Sequence, residues 1–367
     1  MNTMNNTRMI GIDLFAGAGG LSYGLSEAGF DMKIGIERNP SAAETLQKNN
    51  TEMNVIVSDI KDINPIKLIN QMDIDNEEIA IVAGGPPCQG FSQSNKRTRN
   101  LHNPLNNLYK EFFRFVKALQ PEVFLFENVA GLMTLNQGKV VNNILCLAKK
   151  LGYNLQYEVL NAEDFGVPQK RKRIFFIGTK KKASNLFLHE VNDINTVRHA
   201  VDDLPILENG NNLDELYYSR NTRLFDYQKM MRHNGRRIIL NNLVSRNNDL
   251  VLKRYRYIPP GGNWTNIPSN LMSNYKNTSN CHGWIYYRLV YDDSSVVINN
   301  YRKNMLIHPE QNRGLSVREA ARLQSFPDKY IFYGNLGSQQ QQVANAVPPL
   351  LAQKIGNNII NWYSGEK

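Results

Sequence analysis

Cys88 stands in the run Pro86-Pro87-Cys88-Gln89-Gly90-Phe91-Ser92, directly after the apolar stretch Ile79-Ala80-Ile81-Val82-Ala83 and the pair Gly84-Gly85. The apolar stretch reads as a buried parallel strand, and α/β enzymes keep reactive groups at the carboxyl ends of such strands. Two prolines stiffen the approach and Gly90 permits a tight turn, so the thiol is held in place. That is the setting of a nucleophile; elsewhere a free cysteine is mostly a small buried hydrophobe. A second apolar run, Phe124-Leu125-Phe126, leads straight into Glu127. Desolvation at such an edge raises a carboxyl pKa and suits it to donate a proton near neutral pH. Further on, Pro168-Gln169-Lys170-Arg171-Lys172-Arg173 precedes the strand Ile174-Phe175-Phe176-Ile177-Gly178. Alternation along an extended segment throws Arg171 and Arg173 to one side. One cation near a thiol helps ionise it, and one can hold a base carbonyl or a phosphate.

A second constellation suits a cofactor. Asp13-Leu14-Phe15-Ala16-Gly17-Ala18-Gly19-Gly20 marks the first strand–helix junction. Glycines there let a ligand approach the backbone, and the helix terminus behind them favours negative charge. As a dinucleotide fingerprint the run falls short, because the third glycine would be residue 22, which is Ser22. The next strand ends in Ile36-Glu37, where a carboxylate can hold ribose hydroxyls. A third ends in Ser58-Asp59-Ile60, where an acid can accept from an adenine amine. Three such strand ends suit an adenosine compound without a pyrophosphate; the competing role for both acids is helix capping.

The elements that must position these residues follow from periodicity. From Met9 to about Lys180, short apolar runs alternate with amphipathic ones, as in βαβ units. Strands are expected at Met9–Phe15, Met32–Glu37, Asn54–Ser58, Ile79–Ala83, Val123–Glu127, Leu155–Asn161 and Arg173–Thr179. Helices are expected at Leu21–Ala28, Ser41–Asn49, Tyr109–Leu119 and Lys139–Leu151. Residues 185–312 change character and become rich in Asn, Arg, Lys and Tyr, which predicts a smaller, irregular, β-rich domain. Basic side chains there (Arg223, Lys229, Arg232, Arg246, Lys253 and Arg254 among them) interleave with tyrosines, a mixture that fits phosphate contact and base reading. Residues 313–337 form a connecting motif with a helix at Val317–Leu323, and 338–367 return to the first domain through a helix at Pro349–Trp362.

Composition bounds the function. The 367 residues suffice for two domains with their own cores, and a net charge of +10 suits a polyanionic partner. Three widely spaced cysteines make neither a disulfide framework nor a zinc site of usual spacing, so no metal and a reducing cytoplasm are expected. No run approaches transmembrane length; the first residues, Met1 to Arg8, are polar and Asn-rich, and the apolar run behind them reads as the beginning of a fold and not as a cleaved signal.

Taken in order, the motifs Asp13–Gly20, Gly84–Ser92, Glu127-Asn128-Val129, Gln169–Arg173, Arg318–Asp328 and Gln342–Pro349 resemble those of the cytosine-5 DNA methyltransferases of bacterial restriction–modification systems. The likeness runs nearly end to end; one departure is Ala344-Asn345 where the family has Gly-Asn. The resemblance implies a Rossmann-like, S-adenosylmethionine-dependent methyltransferase domain with a mostly parallel sheet, joined to a target recognition domain in residues 185–312. It implies that Cys88 attacks carbon 6 of a cytosine, that Glu127 protonates the ring, that Arg173 contacts the base carbonyl, and that Arg171 supports Cys88 or a phosphate. Asn128 is implied to orient the active-site loop. Phe15, Ala16, Gly17, Gly19, Gly20, Glu37, Asp59, Ile60, Pro87 and Asn345 are implied to hold the cofactor. Because the reaction cannot occur inside a duplex stack, the cytosine must be flipped out, and the polar loop carrying Ser92, Ser94, Lys96, Arg97 and Arg99 is expected to close on the DNA backbone. The partners implied are double-stranded DNA and, functionally, a restriction endonuclease with no required complex; the protein is expected to be a monomer. An RNA cytosine-5 methyltransferase and a non-catalytic DNA-binding regulator on the same scaffold are the alternatives at this point.

Overall fold

Apolar runs too short for helices and bracketed by glycine or acid build the central sheet. The structure, a computed structural model, describes residues 9–75, 78–87, 107–188, 194–219, 223–232, 237–275 and 283–365. Cys88 and the loop bearing Ser92, Ser94, Lys96, Arg97 and Arg99 lie outside the described residues. The chain divides into two units, Met1–Asn161 with Lys172–Glu190 and Pro349–Lys367, and Ala162–Arg171 with Val191–Pro348.

In the first unit the elements run β1 (Ile10–Leu14), α1 (Gly20–Ala28), β2 (Asp31–Glu37), α2 (Pro40–Asn49), β3 (Asn54–Val57), α3 (Pro65–Gln71), β4 (Ile79–Gly84), α4 (Leu108–Leu119), β5 (Val123–Val129), α5 (Lys139–Lys150), β6 (Asn154–Asn161) and β7 (Lys172–Thr179). The strands form one sheet in the order β3-β2-β1-β4-β5-β7-β6. The pairs from β3 to β5 are parallel, and β7 runs antiparallel to both β5 and β6. The strands match the sequence expectations within a residue or two. Helix α3 is an addition to the expected set; its signals are Asn64 as N-cap, accepting from the Lys67 N–H at 3.1 Å, and Pro65 at the first position.

Order reverses between β1 and β4, which creates the crevice beyond their carboxyl ends where α/β sheets bind ligands. The two strands meet there with Leu14 opposite Gly84, and a Cβ on Gly84 would lie 2.3 Å from the Leu14 carbonyl oxygen. Only glycine fits. Behind the sheet, Phe112 and Phe113 of α4 pack edge-on against Phe124 at centroid distances of 6.1 and 5.4 Å, so the strand that delivers Glu127 is anchored in a rigid aromatic core.

The second unit contains α6 (Val197–Val201), β8 (Leu216–Tyr217), α7 (Asp226–Met231), β9 (Ile238–Ile239), α8 (Asp249–Tyr255), α9 (Tyr301–Asn304), α10 (Val317–Leu323) and α11 (Leu336–Asn345). The closing helix α12 (Pro349–Ser364) belongs to the first unit and packs on α1, where Gly356 admits Ala28 and Leu25. The β-rich expectation needs correcting: the described residues of the second unit are irregular, but their only named strands are the two-residue pair β8–β9, with a few isolated bridges. Order comes instead from buried arginines that gather main-chain carbonyls. Arg288 donates to the carbonyls of Ile258, Tyr255 and His308 at 2.7–2.9 Å. Among the described residues no helix is long and apolar enough to cross a membrane.

Candidate active site

At the end of β1 the chain turns through Phe15 and Gly17, both in the left-handed region at φ 63° and 57°. Gly19, at φ 87°, then caps α1. The turn is tied to its neighbours: the Ala16 N–H donates to the Ile36 carbonyl at 3.0 Å, and the Gly17 N–H donates to Glu37 Oε2 at 2.9 Å. The other carboxylate oxygen of Glu37 accepts from the Asn39 N–H at 2.6 Å. Glu37 therefore shapes the glycine turn, and its half-buried carboxylate keeps lone pairs for a ligand. A Cβ on Gly17 would meet nothing within 4 Å, so open space lies above the turn. Half-buried Phe15 and Asp59, at the end of the third strand, complete the cradle. Asp59 also acts as a cap, accepting from the Lys61 N–H at 3.1 Å, and lies 3.4 Å from Arg38. The Ile60 side chain is buried in the core, so what it can offer a cofactor is its backbone. Open space over a positive-φ glycine, flanked by two carboxylates and an aromatic face, fits S-adenosylmethionine, which carries an adenosine and no pyrophosphate.

Beneath the turn, Asp13 is fully buried and accepts from the Ser22 hydroxyl, while its Oδ1 has no partner. Burial pushes its carboxyl up to about 7; Ser22 opposes this, and the nearby charges of Glu37 and Glu127 add to it. Ser22 occupies the third-glycine position of the fingerprint because its hydroxyl serves this acid. Sequence reasoning finds the departure and misses its purpose.

The chemical edge lies at the ends of β4 and β5. Glu127 is buried, with Arg173 Nε 3.0 Å from its Oε1. The antiparallel register explains the pairing: Glu127 faces Phe175 and Val129 faces Arg173, so Glu127 and Arg173 are diagonal neighbours on one face. Burial lowers the Arg173 pKa and the Glu127 charge opposes the shift. On the next residue, Asn128 Nδ2 donates to the Pro86 carbonyl at 3.1 Å, and its Oδ1 accepts from the Val129 N–H at 2.9 Å. One amide thus clamps the Pro86-Pro87 approach to the end of β5. Gly85 clears room for the acid, since a Cβ there would lie 2.6 Å from Glu127 Oε2. Pro87 is exposed at the last described position before Cys88. The cradle, Glu127, Arg173 and Pro87 all line the carboxyl edge of one sheet.

Arg171 departs from its expectation. β7 begins at Lys172, so Arg171 precedes the strand and alternation does not align it with Arg173. It is fully buried within the second unit, donating to the carbonyls of Ile298, Ala344 and Ala346 at 3.2, 3.0 and 2.9 Å. Those bonds hold one terminal nitrogen on the Ile298 carbonyl and the other on the backbone flanking Asn345. Asn345 itself ends α11 in the second unit, exposed and accepting from Gln341 Nε2 at 2.7 Å.

The motif Arg318–Asp328, expected as part of a connector, is a buried charge network. Arg322 bonds both oxygens of Asp328 at 2.6 and 2.7 Å and both of Asp203 at 3.2 and 3.3 Å. Arg313 makes a bidentate pair with Glu319 at 2.8 and 2.6 Å. Two basic residues expected on the DNA face belong to the same kind of scaffolding: Arg254 donates to the Leu271 carbonyl and the Tyr286 hydroxyl, and Arg232 pairs with Asp203 at 2.7 Å.

A family model for C-5 cytosine-specific DNA methylase matches residues 9–361. The chain is 37% identical to the Type II methyltransferase M1.HphI of Haemophilus parahaemolyticus, over 97% of this chain and 87% of that protein. It is 34% identical to the Type II methyltransferase M.DdeI of Desulfomicrobium norvegicum, over 96% of this chain and 88% of that protein. The solved structure of a candidate DNA modification methyltransferase encoded within an E. coli prophage superposes with a TM-score of 0.79 at 27% identity, covering 97% of this chain and 99% of that one. With its sheet of methyltransferase order and a family match across nearly its whole length, the chain belongs to the C-5 cytosine-specific DNA methylases, which transfer a methyl group from S-adenosylmethionine to carbon 5 of cytosine in DNA.

Proposed function

We propose that this methylase acts on a cytosine flipped out of a specific duplex sequence, with Cys88 as nucleophile, Glu127 as proton donor and Arg173 as the contact to the base carbonyl. The observation that carries the assignment is the buried Glu127–Arg173 pair beside the Asn128 clamp on Pro86, two residues before Cys88. Bound S-adenosylmethionine supplies an electrophilic methyl group on a sulfonium that leaves as a neutral thioether. Phe15, Ala16, Gly17, Gly19, Gly20, Glu37, Asp59 and Pro87 would hold it, and the family resemblance adds Asn345. The Cys88 thiolate bonds to carbon 6, which breaks the aromaticity and makes carbon 5 enamine-like. Glu127 donates its proton to the ring nitrogen as this charge develops. Carbon 5 then bonds the methyl group and afterwards loses its proton to a base. Elimination of the Cys88 thiolate restores the ring, and the nitrogen returns its proton to Glu127.

The Glu127–Arg173 pair sets up this cycle: Arg173 Nε lies 3.0 Å from Glu127 Oε1, so the proton donor and the contact to the base carbonyl reach the flipped base from one edge. Residues 185–312 choose the target sequence, and the mixed basic and aromatic composition there supports that division of labour. The Type II names of the relatives support a functional pairing with a restriction endonuclease. A monomeric, cytoplasmic protein accords with the composition. Covalent trapping tests the chemistry: DNA carrying 5-fluorocytosine at the target, with S-adenosylmethionine, should form a denaturant-stable adduct with the native protein and none with Cys88→Ser. An adduct of equal yield with the variant would remove Cys88 from the mechanism.

A further inference from the structure

We infer that a basic groove in the second unit, between the start of α11 and the flank of α9, takes a phosphodiester group of the DNA substrate. The groove has a volume of about 660 Å³. Arg246, Arg302 and Lys303 line it and no acidic side chain does. All three cations are exposed, and none makes an ion pair with another described residue. They differ in this from Arg254 and Arg288, which are buried and committed to carbonyls in the same unit.

A second observation points to a ligand. Gln340 also lines the groove, is only 5% exposed, and donates its Nε2 to Ser245 Oγ at 2.9 Å, yet its Oε1 is buried with no partner. A serine hydroxyl donates as readily as it accepts, so turning the amide gives Oε1 to Ser245 and presents the NH₂ group to an anion. The first turn of α11 adds to the same field. Asn335 satisfies the Ser338 N–H at 3.0 Å, which leaves the earlier amides of this ten-residue helix for a ligand. At Gly337 a Cβ would stand 3.8 Å from Arg302 Nη1, so the guanidinium already lies over that turn. Exposed cations, a turnable buried amide and helix amides form a donor-rich pocket without acceptors of matching charge. A DNA methylase meets phosphodiesters in that environment. The inference rests on DNA as substrate, which family membership carries, and not on the roles of Cys88 or Glu127.

The test is the salt dependence of equilibrium DNA binding by the full-length protein, which needs no turnover. Removing one phosphate-binding cation should lower the slope of log K against log salt by about one. Arg302→Gln and Arg246→Gln should each weaken binding to target and non-target duplexes alike and flatten that slope, with melting temperature and S-adenosylmethionine binding unchanged. Lys150→Gln removes an exposed charge from α5 of the first unit and should leave the slope unaltered. An unaltered slope in the double Arg246→Gln, Arg302→Gln variant would overturn the inference. So would saturable binding of inorganic phosphate at constant ionic strength that the double variant loses while its DNA slope stays native, because the groove would then be a small-anion site.

Discussion

Gly85→Ala isolates the placement of Glu127 from its chemistry. Gly85 does not occupy the left-handed region, so alanine meets no backbone strain there. The new methyl carbon would lie 2.6 Å from Glu127 Oε2, and the carboxylate must retreat because the backbone at the end of β4 is held on both sides by β1 and β5. Its retreat is guided by Arg173, whose Nε is 3.0 Å from the other oxygen. Displacing a catalytic group by on the order of 1 Å costs about a hundredfold in rate. That corresponds to about 3 kcal/mol in the barrier. Because the clash is with the tip of a side chain, the fold should lose about 1 kcal/mol or less, at the low end for overpacking. Single-turnover methyl transfer should therefore fall about a hundredfold, by the displacement estimate above, while S-adenosylmethionine affinity and melting temperature stay near native. The double mutant decides between routes. In a Glu127→Ala background the added methyl has no carboxylate to move, so Gly85→Ala should cost almost nothing further. A full hundredfold loss in that background would show that Gly85 acts through the loop leading to Cys88, and the reasoning would fail.

Three further outcomes follow from the same structure. Arg322→Met should unfold the second unit selectively, because the buried carboxylates of Asp203 and Asp328 would lose their shared guanidinium, Asp203 keeping only Arg232 and Asp328 only the more distant Arg318 as cations, at a cost of about 3–5 kcal/mol; a calorimetric scan that keeps its native profile would refute this. Two buried groups should tilt stability with pH in opposite directions. His308 is held neutral, its pKa depressed to about 4 mainly by burial, so the stability it contributes is present above its ordinary value of 6.5 and is lost as pH falls toward 4. Asp13, raised to about 7, contributes stability that is present below its ordinary 3.8 and lost as pH rises through 7, and Asp13→Asn should flatten the alkaline limb of the melting curve. Exchanging residues 185–312 for a relative's segment should change the sequence read by bisulfite mapping, provided the incoming segment keeps His308 and Asp203, which face Glu319 and Arg322 outside the block. An active chimera that still marks the original site would place recognition elsewhere.

The first unit is legible in the sequence because its elements obey simple periods. β1, β4 and β5 open on apolar residues, and each carries at or near its carboxyl end the residue that shapes the crevice: Asp13 in β1, Gly84 in β4 and Glu127 in β5. The pairing of Glu127 with Arg173 is hidden for a physical reason: it depends on the antiparallel register of β5 and β7, a contact between residues 46 positions apart that no local pattern encodes. Gly85 and Ser22 are visible as residues, but their purposes are not, since each answers a carboxylate delivered by a different part of the chain. In the second unit the sequence carries neither period, and charge stands there as the main sign of surface.

That inference from charge to surface is where sequence and structure part. Arg171, Arg254, Arg288, Arg313, Arg318 and Arg322 are all buried, and each spends its donors on carbonyls or carboxylates inside the second unit. The described residues of this irregular domain have almost no strand pairing, which leaves many main-chain carbonyls without ladder partners, and an arginine, with five donors in a rigid fork, can satisfy several of them at once. The number of arginines in the second unit therefore overstates the donors this protein presents to DNA. What remains for the phosphates are the exposed cations, and the groove of Arg246, Arg302 and Lys303 gathers three of these where a buried amide oxygen also lacks a partner. In this chain, the arginine that binds DNA is told from the arginine that holds the fold by whether its nitrogens already have carbonyls to face.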